Sequence, residues 1–199
     1  MITLFDYRPS QNAWKVRQLL WHLRVPYQSK FINEGRRVKH EPVDPWGPVP
    51  VVRLDDGRVL SESNTILWYL SGNTAYRPED PFTQAKVFQW LSFEADYLQT
   101  TVGSLRFWAL TGELAGRPTN LVEDKRATAN RALGILNREL AMQPFIAADT
   151  YSIADIAIFA YAHLAEDAGI STHHFPAFEA WVARVRAQNG FLAPTHPMC

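Results

Sequence analysis

The spacing of hydrophobic residues divides the chain into two parts with different patterns. Before residue 71, short β-prone runs alternate with segments in which hydrophobic residues recur every three or four positions, the period of an α-helix. Asp56 and Gly57, between two of the β-prone runs, are a strong signal for a hairpin turn. The predicted strands cover residues 2–7, 27–32, 51–54 and 58–60, and helices follow the first strand, within 33–42 and over 63–70, in the order β-α-β-(α)-β-β-α.

The second part of the chain is helical throughout. Residues 71–81 are polar and contain Gly72 and Pro78, which is typical of a linker. After them, every hydrophobic segment repeats with the helical period. The repeats predict one long helix through residues 87–105 and further helices at 129–140, 153–164 and 178–185. We therefore predict a small mixed α/β domain in residues 1–75, a linker in 76–84 and an all-α helical domain in 85–199.

The composition narrows the classes of protein to consider. Of the 199 residues 47% are hydrophobic and 13% aromatic, enough to bury a large core. Lys+Arg 20 and Asp+Glu 20 balance to a net charge of +0, which argues against a nucleic-acid-binding protein. The first residues lack the basic start of a signal peptide, and no hydrophobic run approaches a membrane span. We expect a soluble, cytoplasmic protein without nucleic-acid or membrane partners.

Residues 49–63 contain a candidate anion-binding site. Pro50 precedes a predicted strand, and an X-Pro bond in such a turn can be cis, which would direct backbone groups towards a ligand. Glu62 and Ser63 follow the hairpin where a helix begins, so that a hydroxyl, a carboxylate and backbone N–H groups are available together. The alternative interpretation is a hairpin and a helix cap without a ligand.

A second motif, Ser-Ile-Ala-Asp at residues 152–155, has the form of a capping box that opens directly onto a hydrophobic helix. We interpret this motif as a folding element and not as a catalytic one.

No metal site is expected from the histidines. His173 and His174 have no carboxylate or cysteine at ligand spacing, and His40-Glu41 lacks the second histidine of a zinc-protease motif. The single cysteine, Cys199, provides neither a disulfide nor a redox pair.

Taken in order, these motifs resemble the cytosolic glutathione S-transferase family over essentially the whole chain. The resemblance depends on Val49-Pro50 before a strand, Glu62-Ser63 at a helix start, and the 152–155 motif. A first loop of Ser-Gln-Asn at 10–12 followed by Lys-Val-Arg at 15–17 resembles bacterial, serine-type members. The resemblance implies a thioredoxin-like first domain, an all-α helical bundle as the second domain, a homodimer and a glutathione site on the first domain.

The resemblance also implies roles for residues in the first loop. Glutathione reacts as a thiolate, and a hydroxyl donor at a helix N-terminus would stabilise that thiolate. Ser10 lies where serine-type members place this donor, with Asn12 as the alternative donor and Tyr7 as a further one. Ser10 could also simply cap the helix.

The resemblance also implies which residues bind the cysteinyl and γ-glutamyl parts of glutathione. Val49, before Pro50, would offer its backbone groups to the cysteinyl part. Ser63 would hold the γ-glutamyl carboxylate at the helix N-terminus, and Glu62 would pair with the γ-glutamyl amine.

This chain departs from many relatives at the glycyl end of glutathione. Those relatives carry a basic or amide side chain just before the Val-Pro pair, whereas residues 46–48 here are Trp-Gly-Pro. The glycyl carboxylate must then find another partner or remain solvated. The candidate partners are Arg36, Arg37, Lys39 and His40 in the preceding loop.

The resemblance implies a transferase that joins glutathione to a small hydrophobic electrophile in a detoxification reaction, with glutathione as co-substrate and no other cofactor. Trp14, Phe107 and Trp108 are candidates for the hydrophobic pocket, although most aromatic residues must belong to the core. The alternatives are a glutathione-dependent disulfide or peroxide reductase, and a non-catalytic binding protein that kept the fold.

Overall fold

The structure, a computed structural model, describes residues 1–32 and 49–194. The chain divides into two units: Met1–Arg77 together with Asn189–Cys199, and Pro78–Gln188. The junction between Arg77 and Pro78 falls within the interval 76–84, for which the sequence predicts a linker. Residues 189–194, which the sequence analysis assigned to the helical domain, pack with the first unit instead.

The first unit contains a four-stranded mixed sheet with the order β2-β1-β3-β4. The first two strands are parallel and joined by a helix, whereas β3 pairs antiparallel with β1 and with β4. The bounds are Ile2–Asp6 (β1), Gln11–His22 (α1), Tyr27–Phe31 (β2), Val51–Arg53 (β3), Val59–Leu60 (β4) and Ser63–Leu70 (α2). This arrangement is the thioredoxin-like fold and confirms the predicted order, except that the short helix within 33–42 lies outside the described residues.

A compact hydrophobic core joins the two helices of the first unit to the sheet. Leu4 on β1 and Val52 on β3 pack with Val16 and Leu20 on α1 and with Ile66 on α2, and all five are completely buried. Because successive side chains of a strand point to opposite faces, this core covers one face of the sheet.

Helix α1 ends in a motif that the sequence analysis did not identify. Arg24 has a positive φ of 53°, the N–H of Val25 donates to Leu20 O (3.0 Å), and the N–H of Arg24 donates to Trp21 O (3.0 Å). These two bonds are the pair that defines a Schellman motif. The Schellman bonds satisfy two of the last carbonyls of the helix.

Residues 189–194 pack against α1. The buried side chain of Gln18 donates from Nε2 to Gly190 O (3.0 Å) and accepts at Oε1 from the N–H of Leu192 (2.7 Å). Nε1 of Trp14 donates to Leu192 O (2.9 Å). The N–H group and the oxygen of the buried Gln18 amide are thus both hydrogen-bonded to residues 189–194, and these bonds hold the segment against α1.

The second unit is entirely helical over its described residues. The predicted long helix is continuous but changes its hydrogen-bond register, because residues Glu94–Gly103 are π-helical. In this segment the hydroxyls of Thr100 and Thr101 donate to the carbonyls of Asp96 and Tyr97, and such bonds compete with the α-helical pattern. The helices are Pro81–Phe93 (α3), Ser104–Leu110 (α4), Thr119–Leu140 (α5), Ile153–Ala162 (α6) and Pro176–Arg186 (α7).

None of the helices in the described ranges combines the length and hydrophobicity needed to cross a membrane.

The predicted capping box is confirmed at the start of α6. The Asp155 carboxylate accepts hydrogen bonds from the Ser152 N–H (3.0 Å), the Ser152 hydroxyl (3.1 Å), the Ile146 N–H (2.8 Å) and the Trp181 Nε1–H (2.9 Å). Asp155 and Ser152 are completely buried. Burial raises the pKa of Asp155 to about 6, while the four donors favour the carboxylate, so the group is ionised at neutral pH.

His163 follows α6 and is held as a neutral imidazole. Its Nδ1 lies 2.5 Å from Phe159 O, and its ring stacks on the Phe159 ring with centroids 4.3 Å apart. Burial lowers the pKa of His163 to about 4, against an effect of the Phe159 carbonyl in the opposite direction. A histidine that stays neutral in the folded state but protonates in the unfolded chain makes stability depend on pH.

We expect His163→Gln to weaken the acid sensitivity of the protein. The folded pKa is about 4 and the ordinary pKa of histidine is 6.5, so the contribution of His163 is present above pH 6.5 and is lost as the pH falls towards 4. The difference between the two pKa values corresponds to a contribution of at most about 3 kcal/mol to the free energy of unfolding. Urea unfolding of wild type and variant at pH 7.5, 5.5 and 4.5 measures this. The stability difference between the two proteins should shrink as the pH falls, and a constant difference would contradict the prediction.

Candidate functional site

The N-terminus of α1 carries the two residues predicted to face the thiol. Ser10 is the N-cap of α1, and its hydroxyl oxygen accepts a hydrogen bond from the Ala13 N–H (3.2 Å). Because a hydroxyl both accepts and donates, the Ser10 proton remains available for a ligand. Asn12 is half-buried and is the second residue of the helix, in its first turn. Ser10 therefore does cap the helix, and its predicted role towards sulfur is compatible with that structural role.

Ser63, at the first position of α2, lies next to Asn12. The Ser63 hydroxyl donates to Asn12 Oδ1 over 3.2 Å, although the two residues are far apart in the sequence. Ser63 is buried and Asn12 half-buried. The residue predicted for the γ-glutamyl carboxylate and a residue predicted for the thiol are thus in direct contact.

Lys15 completes this cluster, and the sequence analysis gave it no role beyond its place in a motif. Its side chain is completely buried, and Nζ lies 3.3 Å from Ser63 Oγ and 3.3 Å from Asn64 Oδ1. The signal that could have found it is its spacing from Asn12. Residues three apart on a helix lie on the same face, so Lys15 and Asn12 approach α2 together.

Glu62 has an unusual backbone conformation directly before α2. Its φ is 66° and its ψ is 112°, in a region that residues other than glycine rarely occupy. Its side chain is exposed and makes no capping hydrogen bond to the helix. Such a conformation often marks a binding site, because the local strain is retained for a function.

The Val49–Pro50 peptide bond is cis, as the sequence suggested for this turn. Pro50 is buried immediately before β3. Two further residues predicted for the glycyl end of glutathione, Arg37 and His40, lie outside the described residues.

Family models match both parts of the chain. Residues 9–72 match the model described as glutathione S-transferase, N-terminal domain, and residues 95–189 match the model described as glutathione S-transferase, C-terminal domain. The chain belongs to the glutathione S-transferase family.

The proteins to which this chain is similar have names that indicate different activities. The crystal structure of a possible glutathione S-transferase from Rhodopseudomonas palustris superposes with a TM-score of 0.90 at 33% identity, covering 97% of this chain and 89% of that one. Disulfide-bond oxidoreductase YfcG of Escherichia coli is 24% identical, covering 94% of this chain and 91% of that protein. Elongation factor 1-gamma of Drosophila melanogaster is 28% identical, covering 79% of this chain but 36% of that protein. Membership of the glutathione S-transferase family therefore does not by itself specify the reaction.

The three aromatic residues predicted for the hydrophobic pocket have different environments. Trp14, in the first unit, is 1% exposed and packs edge-on against Phe191 with ring centroids 6.1 Å apart. In the second unit Phe107 is 56% exposed, whereas Trp108 is half-buried with the Lys125 ammonium 5.5 Å from its ring centroid. Their assignment to a substrate pocket stays a prediction.

A buried ion pair supports the loop that carries Ser10. Arg17 Nη1 lies 2.5 Å from Asp6 Oδ1, and the Asp6 side chain is completely buried at the end of β1. Arg17 Nη2 also donates to the carbonyl of Arg8 (3.1 Å), in the loop between β1 and α1. One guanidinium thus connects the strand, the loop and the helix that position the first part of the site.

Within residues 1–32 and 49–194, no group of three or more histidine, cysteine, aspartate or glutamate side chains is arranged to hold a metal ion.

Proposed function

We propose that this family member is a glutathione transferase that stabilises the glutathione thiolate and directs it to a hydrophobic electrophile. The observation that carries the proposal is the 3.2 Å hydrogen bond from Ser63 Oγ to Asn12 Oδ1. It brings the N-terminal ends of α1 and α2 together. Each end offers backbone N–H groups that have no partner within the helix, and both therefore favour negative charge.

At the first of these ends, the proposed chemistry is activation of the thiol. A free thiol has a pKa of about 8.5 and is mostly protonated at neutral pH. The Ser10 hydroxyl and the Asn12 amide would donate hydrogen bonds to the sulfur, which stabilises the thiolate and lowers that pKa. The thiol proton passes to solvent, and the sulfur lone pair forms a bond to the electrophilic carbon as the leaving group departs.

At the second end, the proposed role is recognition of the γ-glutamyl group. The first N–H groups of α2, including that of Ser63, would receive its carboxylate. The exposed Glu62 carboxylate would pair with its amine, and this role would explain the unusual backbone at that position. The backbone of Val49 would pair with the cysteinyl part, with Arg37 or His40 at the glycyl end.

The remaining parts of the proposal follow from the family. We propose a small hydrophobic electrophile as the second substrate. We also propose a cytoplasmic homodimer that acts in detoxification, without a cofactor other than the co-substrate glutathione.

Similarity to YfcG favours a second candidate, the reduction of disulfides. The single cysteine of this sequence is Cys199, and the first loop has none, which argues against a relay through protein thiols. Reduction would use glutathione itself. Two glutathione thiols would be oxidised to glutathione disulfide, and the substrate disulfide would take up the two electrons and two protons. Assays with 1-chloro-2,4-dinitrobenzene and with bis(2-hydroxyethyl) disulfide separate the two candidates.

The test is glutathione binding by calorimetry. We expect Ser63→Ala to raise the dissociation constant about tenfold, because it removes a hydroxyl from a buried hydrogen-bond cluster. Ser92→Ala is the control, since its hydroxyl donates to Phe88 O (3.2 Å) on an exposed face of α3. Wild type without detectable binding would overturn the glutathione site and leave a protein with this fold and another ligand. Binding without turnover in either assay would favour a binding protein.

A further inference from the structure

We infer that Lys15 is a positioning residue that fixes the orientation of Asn12, and thereby the donor presented to sulfur; this inference rests on the proposed function. Lys15 does not itself reach solvent, since its side chain is 0% exposed. Burying an ammonium is unfavourable unless it is hydrogen-bonded, so a lysine at this position needs specific partners. Ser63 Oγ and Asn64 Oδ1, each 3.3 Å from Nζ, are two of them.

The charge of Lys15 sets the direction of the hydrogen bonds. An ammonium can only donate, so the Ser63 oxygen must accept from Lys15. The single proton of the Ser63 hydroxyl is then free to point to Asn12 Oδ1, 3.2 Å away. A side chain that accepted from Ser63 would take that proton, and Ser63 could no longer donate to Asn12.

This direction determines which end of the Asn12 amide faces the ligand. With Oδ1 turned towards Ser63, the Nδ2 group points away from α2. Among the described residues, no acceptor for Asn12 Nδ2 is found. The two N–H donors of Nδ2 are thereby left for a ligand, and the inference assigns them to the sulfur of the proposed mechanism. A flipped amide would present its oxygen there and repel a thiolate.

Lys15 acts on the sulfur only through Ser63 and Asn12. Connected hydrogen bonds polarise one another, so a positive group at one end strengthens the donor at the other. The expected effect is on the ionisation of the bound thiol and much less on the binding of the glutathione backbone. A lysine that only filled space between α1 and α2 would not change the ionisation of the thiol more than it changes the binding of glutathione.

The experiment uses the full chain and compares Lys15→Met, which removes the donor, with Lys15→Arg, which keeps it. The fraction of bound glutathione present as thiolate at pH 7 is read from its ultraviolet absorption. We expect Lys15→Met to lower the ratio of thiolate to thiol about tenfold and Lys15→Arg to restore much of it. Binding of S-methylglutathione, which has no thiol to ionise, should change less than threefold.

A double-mutant cycle with Asn12→Ala separates positioning from a structural role. If Lys15 acts through Asn12, Lys15→Met should have no further effect on the thiolate fraction in the Asn12→Ala protein. Equal effects in both backgrounds would overturn the inference. Should Lys15→Met fail to fold, Lys15→Gln is the substitute: its amide oxygen can accept the Ser63 proton in place of Asn12, so the thiolate fraction should fall as it does in Lys15→Met. If wild type binds no glutathione, the proposed function fails; if wild type forms the thiolate and Lys15→Met leaves it unchanged, only the inference fails.

Discussion

Asp155→Ala is expected to lower the free energy of unfolding by about 4 kcal/mol, because it leaves several buried donors without an acceptor. The N–H groups of Ser152 and Ile146 and the indole N–H of Trp181 all donate to this carboxylate. The substitution also opens a cavity where α6 and α7 meet. Urea unfolding at pH 7 measures the loss.

The matched control is Asp149→Ala, the same substitution at an exposed position six residues earlier. It should change the stability by less than about 0.5 kcal/mol. An equal effect of the two substitutions would show that the buried network around Asp155 contributes little to the stability of the second unit.

Arg17→Met is expected to lower the free energy of unfolding by about 3–4 kcal/mol, because it leaves the buried Asp6 carboxylate without its cation. Asp6 Oδ1 contacts Arg17, while Oδ2 is buried and accepts no hydrogen bond from the part of the chain that the structure describes. The substitution also removes the Arg17 hydrogen bond to the Arg8 carbonyl in the loop that precedes Ser10, so glutathione binding should weaken as well. Urea unfolding and calorimetry measure the two effects.

Arg58→Met is the control, since Arg58 also pairs with an aspartate but on the surface. The side chains of Arg58 and Asp56 are 72% and 46% exposed, against 13% and 0% for Arg17 and Asp6. An exposed pair contributes about 0–1 kcal/mol, so this variant should remain close to wild type in stability. Adding Asp6→Asn to Arg17→Met should recover part of the loss, and the absence of any recovery would contradict the buried-charge explanation.

The sequence predicts the elements of this fold well where a local pattern determines them. Asp56-Gly57 gives the hairpin, and Gly57 has the positive φ of 86° that such a turn favours. The capping box at residues 152–155 could be predicted because the hydrogen bonds between Ser152 and Asp155 join neighbours in the sequence. Only the bonds that Ile146 and Trp181 donate to Asp155 come from outside the motif. The π-helical segment was not predicted, since Leu91 and Leu98 are buried at a spacing of seven, which also fits an ordinary α-helix.

Contacts between distant residues account for what could not be predicted in the site. Ser10, Asn12 and Ser63 could be named from motifs, but the Asn12–Ser63 bond depends on how α1 packs on α2. Lys15 was overlooked because a lysine on a helix is normally exposed, and only the packing shows that this one is buried. The same is true of Gln18, two of whose partners, Gly190 and Leu192, lie more than 170 positions away.

The segment 189–194 has a consequence for how the protein is made. During synthesis the ribosome releases β1, α1 and the rest of the first unit long before it reaches Leu192. Until then the indole N–H of Trp14 and both ends of the Gln18 amide lack the partners that they have in the finished fold. The unit synthesised first is therefore completed only after the whole helical unit has emerged, and a chain truncated after Gln188 would leave α1 with exposed hydrophobic surface.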